Sequence, residues 1–396
     1  MIKLPHPNIW KLFVIKGCLW FMVIMPVIVL FFQDHGLNLQ EIMILQACYS
    51  LSLGLTEIPS GYAADILGRR KTLILGCVLA FVGFSIFSIS YDFWWFLLAQ
   101  IFLGLGNSFI SGADTALLYD SLLEVNKEDR FLKYEGRSVS IGNFAEAGAG
   151  ILGGFLAAIS FRYPAYAQVI VAIITIPFAF ALVEPKTQTK RLKNSWESIT
   201  SVVRFSLVES KILRTYIIYS AIMGIGTLMM AWLAQPFLKD IGIGMKNYGI
   251  IWALLNILVG IIAFLAYRID KTLKPLNSLI LIFASSVFGY VLIAQNMNYV
   301  GLFILFLFYA NRGYATPLLR NYINKHTESN VRATVMSIRS FIIRTTFAII
   351  APFIGWIADH EGLSSAMMAM SIIIAVVGGM CLVWFIKNQK ETVLYR

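Results

Sequence analysis

The sequence predicts an all-α integral membrane protein with twelve transmembrane helices in two pseudo-symmetric six-helix bundles. Of its 396 residues, 58% are hydrophobic and only 13% are charged, whereas charged residues make up about 25% of a typical soluble domain. The apolar residues form twelve runs of about 20 residues, the length that a helix needs to cross a bilayer. This composition excludes soluble, disordered and collagen-like chains.

The twelve runs follow one another along the whole chain. They lie near residues 12–32, 41–64, 72–90, 93–120, 138–160, 165–183, 214–238, 247–267, 276–294, 299–321, 333–357 and 365–386. Proline and glycine inside several runs are tolerated, because neighbouring helices can satisfy the freed carbonyl groups. The first run is too long for the apolar core of a signal peptide and lacks a small-residue cleavage site, so we expect it to be a transmembrane helix.

The longest loop divides the runs into two sets of six. We therefore expect an N-terminal six-helix bundle over 1–183, a cytoplasmic linker over 184–213 and a C-terminal six-helix bundle over 214–396. Apolar residues recur in the linker at helical spacing, which predicts a short amphipathic helix on the inner membrane surface; a disordered linker is the alternative. These apolar residues are Trp196, Ile199, Val203 and Leu207.

Loop charges predict the orientation. The net charge is +11, and 24 Lys and Arg residues lie at the termini and in the even-numbered loops, against three in the odd-numbered loops. Cytoplasmic loops are enriched in Lys and Arg, so we expect both termini in the cytoplasm. The cations are spread over short tracts and not clustered on one soluble face, which argues against nucleic acid as a partner. The compact length and short termini favour a bacterial inner membrane protein.

The two halves resemble each other in sequence. Gly112–Leu118 reads GADTALL and Gly313–Leu319, 201 residues later, reads GYATPLL. The pairs Arg137-Ser138 and Arg339-Ser340 match at an offset of 202. Such ordered similarity indicates an internal duplication. Repeated six-helix halves are a transporter architecture, with the binding site at the interface between the repeats.

A charged motif follows the second run and reads Gly61-Tyr-Ala-Ala-Asp65-Ile-Leu-Gly68-Arg69-Arg70-Lys71. It resembles the G-x-x-x-D-x-x-G-R-R/K signature of the major facilitator superfamily, in the loop where that family carries it. The resemblance covers the whole chain and implies the major facilitator fold. We expect Gly61 to allow close helix approach and Gly68 to permit a tight turn. We also expect Asp65 and this loop to form an inner gate with the start of span eleven.

Two finer motifs of the family are incomplete. Span four reads Gln100-Ile-Phe-Leu-Gly104 where many proton-coupled members carry Arg four residues before Gly. Span five reads Gly148-Ala-Gly150-Ile-Leu-Gly153-Gly154, with the glycines but without the proline usual in antiporters. Both departures weaken the resemblance to a proton-driven drug exporter.

Seven ionisable residues fall inside the predicted spans, at depths of about 8 to 18 Å from the cytoplasmic end. They are Lys16, Glu57, Asp114, Glu146, Arg312, Arg339 and Arg344. Ionisable groups in a bilayer are costly and by default mark a functional site. The alternative is that they form closed ion pairs that only fix helix packing.

The carboxylates all lie in the N-terminal half and the three arginines in the C-terminal half. Charges that pair across the halves in one state and separate in another provide a route to proton coupling. We expect Glu146 to be the coupling carboxylate, with Asp114 second and Glu57 a further candidate. Because its depth matches, Glu57 is also expected within reach of Arg339 or Arg344 in at least one state.

Aromatic and amide residues inside the spans complete the expected substrate cavity, together with Lys16 and the three arginines. They are Trp20, Asn107, Asn143, Tyr219, Trp232, Gln235, Trp252, Asn256 and Asn311. For Trp and Tyr, packing or an interfacial belt is an equally good interpretation. The four cysteines lie in apolar runs without metal-ligand spacing, so we expect no metal site.

These observations favour a secondary active transporter that moves a small solute by alternating access, as a monomer in the lipid bilayer. The sequence lacks a G-x-x-x-x-G-K-[ST] phosphate loop and the H-E-x-x-H and G-x-S-x-G motifs, so ATP-driven transport and a polytopic membrane enzyme are disfavoured, and we expect no cofactor. A channel is also less favoured than a duplicated carrier. Proton-coupled efflux of amphipathic drug-like or metabolite molecules is the leading prediction. Transport of an anionic or zwitterionic nutrient or chelate, bound by buried Arg, is the alternative.

Overall fold

The computed structural model describes residues 6–186, 196–328 and 331–388, except for the side chains of residues 58, 65, 132, 196–199 and 333. All regular secondary structure in this described part is helical. The α-helices are α1 (Pro7–Trp20), α2 (Ile28–Asp34), α3 (Leu39–Leu67), α4 (Arg69–Ile89), α5 (Phe93–Ile110), α6 (Ala113–Leu123), α7 (Phe131–Ala157), α8 (Arg162–Phe180), α9 (Trp196–Arg204), α10 (Lys211–Asp240), α11 (Met245–Leu273), α12 (Pro275–Gln295), α13 (Tyr299–Lys325), α14 (Arg332–His360) and α15 (Leu363–Lys387). Short 3₁₀ turns span Met25–Val27 and Glu128–Arg130, and a π-helical turn spans Phe205–Glu209.

Eleven helical segments within the described residues are long and apolar enough to cross a membrane. The chain is therefore a multi-pass membrane protein with an all-α fold. Helix α3 has 29 residues and lies where the second span was predicted, but it is not among the eleven. The count of twelve transmembrane helices stays a prediction.

Two of the predicted spans are broken helices. The first consists of α1 and α2 with a break between them, where Pro26 is the second residue of the 3₁₀ turn. Proline lacks a backbone N–H and cannot continue an α-helix without losing a hydrogen bond. The exposed backbone is satisfied in part by Gln168 of α8, whose side chain accepts a hydrogen bond from the N–H of Val23 at 2.7 Å. The fourth span consists of α5 and α6, which meet at Gly112 with φ of 81°.

Side chains cap several helices at the loops. Asn38 and Glu41 form a reciprocal pair at the start of α3, with each side chain accepting a hydrogen bond from the other residue's backbone N–H. Asp92 accepts hydrogen bonds from the N–H groups of Trp94 and Trp95 at the start of α5. Such caps satisfy the first N–H groups, which have no partner inside the helix.

The chain divides into two units, Met1–Arg191 with Gly244–Ala253 and Leu192–Ile243 with Leu254–Arg396. The first two turns of α11 thus group with the first unit. The boundaries that we predict at 183 and 213 rest on loop length and stay a prediction. A short helix, α9, forms within the predicted linker, and Arg204 at its end is paired at 3.0 Å with Glu209 of the π-helical turn that follows.

The first unit has an apolar core shared by α1, α4, α6, α7 and α8, and the second unit is built around α10. In the first unit, Ile9, Leu73, Leu117 and Ala179 are fully buried. In the second, α10 is the central helix, with 20 of its 30 residues buried. Burial on all sides is typical of a helix surrounded by other helices.

Candidate functional site

The charged motif after α3 is anchored inside the first unit. Gly68 has φ of 93° between α3 and α4, the left-handed conformation expected for a glycine in a tight turn. The buried guanidinium of Arg69 lies 2.5 Å from Asp120 of α6 and donates a hydrogen bond to the carbonyl of Ala116 at 2.7 Å. Arg69 therefore binds α4 to α6 through a buried ion pair.

A second carboxylate, Glu184, holds the start of α4. Its two oxygens accept hydrogen bonds from the backbone N–H groups of Arg69 and Arg70 at 2.9 and 2.8 Å. A Cβ atom at Gly68 would lie 3.0 Å from this carboxylate, so only glycine leaves room for it. An anion at a helix N-terminus is favoured by both the unpaired N–H groups and the helix dipole. The guanidinium of Arg70 donates to the carbonyl of Phe180.

The observed contacts of the motif differ in part from those that the sequence predicts. Asp120 and Glu184 were not among the predicted site residues, because each lies far along the chain from the arginine it contacts. A Cβ atom at Gly61 would meet no described atom within 4 Å, so the close helix approach predicted there is not found. The Asp65 side chain lies outside the described set, and its role in an inner gate stays a prediction.

Lys16 and Asp114, two of the predicted membrane charges, form an ion pair. The ammonium group of Lys16 on α1 lies 2.8 Å from Asp114 at the start of α6, and both side chains are largely buried. Lys16 also lies 5.8 Å from the ring centroid of Trp20. Glu135 of α7, which the sequence prediction did not include, lies beside Asp114, Lys16 and Thr115. The region thus brings two carboxylates to one ammonium group.

The other two predicted carboxylates are Glu57 on α3 and Glu146 on α7, and both are half-buried. Asn143, one helical turn from Glu146, is exposed. In the first unit, α7 comes very close to the first turns of α11, because a Cβ atom at Gly154 would lie 2.8 Å from the backbone nitrogen of Gly249. A Cβ atom at Gly150 would lie 3.0 Å from the ring of Trp252. Gly150 and Gly154 of span five therefore serve close helix packing.

A small cavity of about 30 Å³ lies inside the first unit. Among its lining residues are Asn107, Gln168, Thr175, Cys18 and Cys77. Asn107 donates a hydrogen bond to the hydroxyl of Tyr49 at 2.8 Å. The cavity has the volume of a water molecule, so Asn107 does not line a substrate-sized space there.

Several of the predicted lining residues in the second unit make packing hydrogen bonds. Tyr219 is fully buried and donates to the carbonyl of Leu279 at 2.6 Å. Asn311 donates to Ser286 at 3.0 Å, and Arg339 donates to Ser220 at 2.6 Å. Trp232 and Gln235 are buried, whereas Asn256 and Arg344 are half-buried; Trp252, which belongs to the first unit, is also buried.

A larger cavity of about 580 Å³ lies in the second unit between α11 and α13. Its lining residues are Val259, Ala263, Arg312, Gly313, Thr316, Pro317, Arg320, Asn321 and Asn324. Arg312 is the only predicted cavity residue among them. The four-residue spacing of Arg312, Thr316, Arg320 and Asn324 could have revealed the others, because such residues share one face of a helix.

Comparison of the sequence with models of protein families shows the family to which the chain belongs. Residues 12–345 match the model of the Major Facilitator Superfamily. The chain belongs to this superfamily. It is therefore a transporter and not an enzyme, and proton coupling and alternating access are typical of its family.

Known members of the major facilitator superfamily resemble the chain in sequence and in fold. The quinolone resistance protein NorA of Staphylococcus aureus is 22% identical over 311 residues, which cover 76% of this chain and 77% of NorA. Multidrug resistance protein 2 of Bacillus subtilis is 28% identical over 163 residues, covering 41% of this chain and 40% of that protein. The nucleoside transporter NupG has a TM-score of 0.81 at 13% identity and covers 96% of this chain and 98% of its own. A bacterial homolog of the lysosomal transporter Spinster, in an inward-facing and unoccupied conformation, has a TM-score of 0.76 at 15% identity and covers 95% and 96%.

Proposed function

We propose that this protein is a secondary active transporter that exports amphipathic small molecules in exchange for protons. Similarity to NorA over three quarters of both chains supports drug-like substrates. The observation that carries the proposal is the group of largely buried charges in the first unit, where Asp114 is paired with Lys16 and Glu135 lies beside them. A carrier driven by protons needs membrane carboxylates that accept and release a proton as their surroundings change.

The ion pair gives a physical route for coupling. While Asp114 is ionised, its attraction to Lys16 ties α1 to α6. A proton on Asp114 removes one charge of the pair, and the remaining ammonium group must find water or another carboxylate. Proton binding therefore changes the contact between two helices of the same unit. Alternating access then requires that this contact differ between the outward- and inward-open states.

Glu146 remains the first candidate for the coupling carboxylate, as the sequence predicts. It is half-buried on α7, the helix that carries the close-packed glycines. We expect Glu146→Gln to abolish transport driven by a pH gradient while it keeps exchange of substrate across the membrane. Asp114→Asn should weaken coupling in the same direction.

Proteoliposomes with an imposed pH gradient test this proposal, with ethidium and norfloxacin as fluorescent solutes. The matched control is Asp92→Asn, which changes a carboxylate to an amide at an exposed helix cap that asparagine can also form. Wild-type protein and the Asp92 variant should concentrate at least one solute against its gradient. Full pH-driven transport by the Glu146 variant would show that this residue is not the coupling group. Absence of gradient-driven transport in the wild type for both solutes would contradict the proposed function.

An anionic or zwitterionic solute is the second candidate. One observation favours it, the cavity of about 580 Å³ whose wall includes Arg312 and Arg320. An amphipathic molecule that carries a carboxylate would belong to both proposed classes of solute.

A further inference from the structure

The cavity between α11 and α13 is an open cleft with the size of a ligand site, and Thr316 and Arg320 on its wall are exposed. Its volume of about 580 Å³ falls within the range of roughly 300–1,000 Å³ that is typical of small-molecule pockets. One wall is apolar, with Val259 and Ala263 of α11. The opposite wall is a polar face of α13, where Arg312, Thr316 and Arg320 recur every four residues. Such a combination suits an amphipathic ligand.

The cavity wall is positively charged and holds no carboxylate. Arg312 and Arg320 supply two guanidinium groups, and none of the lining residues is acidic. Among the described residues, neither arginine takes part in an ion pair; the pair in the second unit is Arg204 with Glu209. Asp270, at the end of α11, already accepts hydrogen bonds from Tyr322 and Ser278.

An arginine without a counter-charge is costly in a membrane protein. Arg312 is half-buried, about 20 Å along α13 from the end at Lys325 by the rise of the helix. Its guanidinium contacts the face of Tyr309, with 5.6 Å to the ring centroid, which compensates only part of the lost hydration. A guanidinium at such depth is stabilised by an anion, and its planar fork matches the two oxygens of a carboxylate or phosphate.

A third polar group of the same wall lacks a partner. The side-chain oxygen of Asn324 is buried and has no hydrogen-bond partner among the described atoms. It lies one turn beyond Arg320 on the same face of α13. A buried acceptor without a donor is destabilising, so a ligand or water with a free N–H or O–H group is expected beside it.

We propose that this cavity binds the anionic group of an amphipathic organic molecule, a carboxylate or phosphate, through Arg312 and Arg320. The apolar wall of α11 holds the hydrophobic part of the ligand, and Asn324 accepts a hydrogen bond from it. Arg312 and Arg320 lie two helical turns apart on one face of α13, about 12 Å by the helix rise, and both line the same cavity. That this ligand is the transported solute rests on the proposed function.

The same anionic chemistry is present in a free solute and in a phospholipid headgroup. Binding is therefore measured on the full chain in nanodiscs of phosphatidylcholine alone and of phosphatidylcholine with phosphatidylglycerol. The free probes are norfloxacin, an aromatic carboxylate, its ethyl ester, which lacks the anion, and phenyl phosphate as a competitor. Bound phosphatidylglycerol is counted by native mass spectrometry.

The variants are Arg312→Gln and Arg320→Gln, with Arg268→Gln as the matched control at an exposed position of α11 outside the cavity. We expect norfloxacin to bind at least about tenfold more tightly than its ester, since a bidentate charge-assisted pair is worth that much or more. Each cavity variant should lose about tenfold or more in affinity for norfloxacin, with the ester unchanged, and Arg312→Lys should recover part of the loss. The Arg268 variant should bind both probes as the wild type does.

A lipid headgroup would be identified as the ligand if phosphatidylglycerol is retained by the wild type, lost from both cavity variants, and able to displace norfloxacin. The inference is overturned if norfloxacin, phenyl phosphate and phosphatidylglycerol all bind independently of Arg312 and Arg320. The transport assay separates the two proposals. Gradient-driven ethidium transport without any arginine-dependent anion binding would leave the proposed function standing and reject this site. Arginine-dependent binding without gradient-driven transport would support this site and contradict the proposed function.

Discussion

Arg69 connects three separate parts of the first unit. Its guanidinium binds Asp120 and the carbonyl of Ala116, and its backbone N–H donates to Glu184. Both partners in the ion pair are buried, and the Asp120 side chain has no exposed surface. Two charges removed from water are tolerated only because each satisfies the other.

Removal of one member of this pair should destabilise the protein strongly. We expect Asp120→Leu or Arg69→Met to lower the free energy of unfolding by about 3–5 kcal/mol, because a buried charge is left without its partner. The double variant Arg69→Met with Asp120→Leu should lose clearly less than the sum of the two single variants. Unfolding temperatures in detergent measure both effects, with Lys71→Ala as the exposed control next to the motif. Strictly additive losses would show that the two charges do not stabilise each other.

His6, just before α1, gives the stability a pH dependence. Its Nδ1 accepts a hydrogen bond from the N–H of Asn8 at 3.1 Å, and its Nε2 lies 3.4 Å from Glu124. Burial lowers the pKa of His6 below the ordinary value of 6.5, and this outweighs the opposing effect of Glu124. The unfolded chain therefore binds a proton at a higher pH than the folded one does.

The consequence is a loss of stability on acidification. The stabilisation by neutral His6 is fully present above pH 6.5 and is lost as the pH falls from there through the lower pKa of the folded state. We expect the unfolding temperature of the wild type to drop more between pH 7.5 and pH 5.5 than that of His6→Asn, which keeps a capping side chain but does not titrate. Equal drops in the two proteins would contradict this assignment.

The sequence identified the residues of the charged motif but not the residues that they contact. The spacing of the charged motif identified Gly68, Arg69 and Arg70 as a group. It did not identify Glu184, which is 115 residues from Arg69 along the chain. Periodicity and motif spacing carry information about one helix and its loop, whereas a partner on another helix depends on how the helices pack.

Two glycines of α7 allow this helix to pack closely against neighbouring segments of the first unit. Gly153 is next to the break between α1 and α2, because a Cβ atom there would clash with the carbonyl oxygen of Val23. Gly154, the next residue, faces Gly249 of α11 at backbone contact distance. One helix thus accommodates the irregular backbone of the first span and the start of another helix on adjacent positions.

Adding one methyl group at this contact should be destabilising. In Gly154→Ala the new Cβ would lie 2.8 Å from a backbone nitrogen, which cannot move as a side-chain end can. We expect a loss of about 1–3 kcal/mol, as for other overpacked sites. Gly148→Ala on the same helix is the matched control, since its Cβ would be 3.9 Å from the ring of Phe21. That variant should be neutral or more stable by up to about 1 kcal/mol, because alanine is the better helix former.

Thermal unfolding of the two variants in the same detergent measures this difference. A Gly154 variant as stable as the Gly148 variant would show that α7 and α11 have room to separate at this contact.

The positions of the helices were predicted better than their breaks. The apolar runs located every helix assigned to a span, but α7 begins at Phe131 and not near 138, because charged residues interrupt the apolar pattern in its first two turns. The break at Gly112 was not predicted. Its counterpart in the internal repeat, Gly313, lies inside the continuous helix α13, where a Cβ atom would come within 2.6 Å of the carbonyl oxygen of Val259. The same residue type therefore serves a turn in one half and a close helix contact in the other.

The fold of the whole molecule could be predicted from the sequence, whereas the lining of its larger cavity could not. Composition, run length and the motif predicted an all-α membrane protein with the major facilitator fold, and the family match confirms it. The cavity lined by Arg312 and Arg320 was predicted only in part. Membrane depth indicated Arg312, but which side chains surround it depends on the packing of α11 against α13.

Orientation in the membrane is the remaining property that charge alone predicts. We propose that both termini lie in the cytoplasm of a bacterial cell, because 24 Lys and Arg residues lie at the termini and in the even-numbered loops and three in the odd-numbered loops. Lys71 lies in the first turn of α4 and Asp92 follows the end of that helix, and both residues are exposed. The prediction places Lys71 in the cytoplasm and Asp92 outside.

Single cysteines at these two positions test the orientation, in a background whose four native cysteines are replaced by serine or alanine. A membrane-impermeant maleimide should label Asp92→Cys in intact cells, and Lys71→Cys only after the cells are permeabilised. Labelling of both after permeabilisation controls for accessibility, since neither side chain is buried. The reverse pattern would place the charged motif outside the cell. Arg69, Asp120 and Glu184 would then lie at the outer end of the first unit and could not contribute to an inner gate.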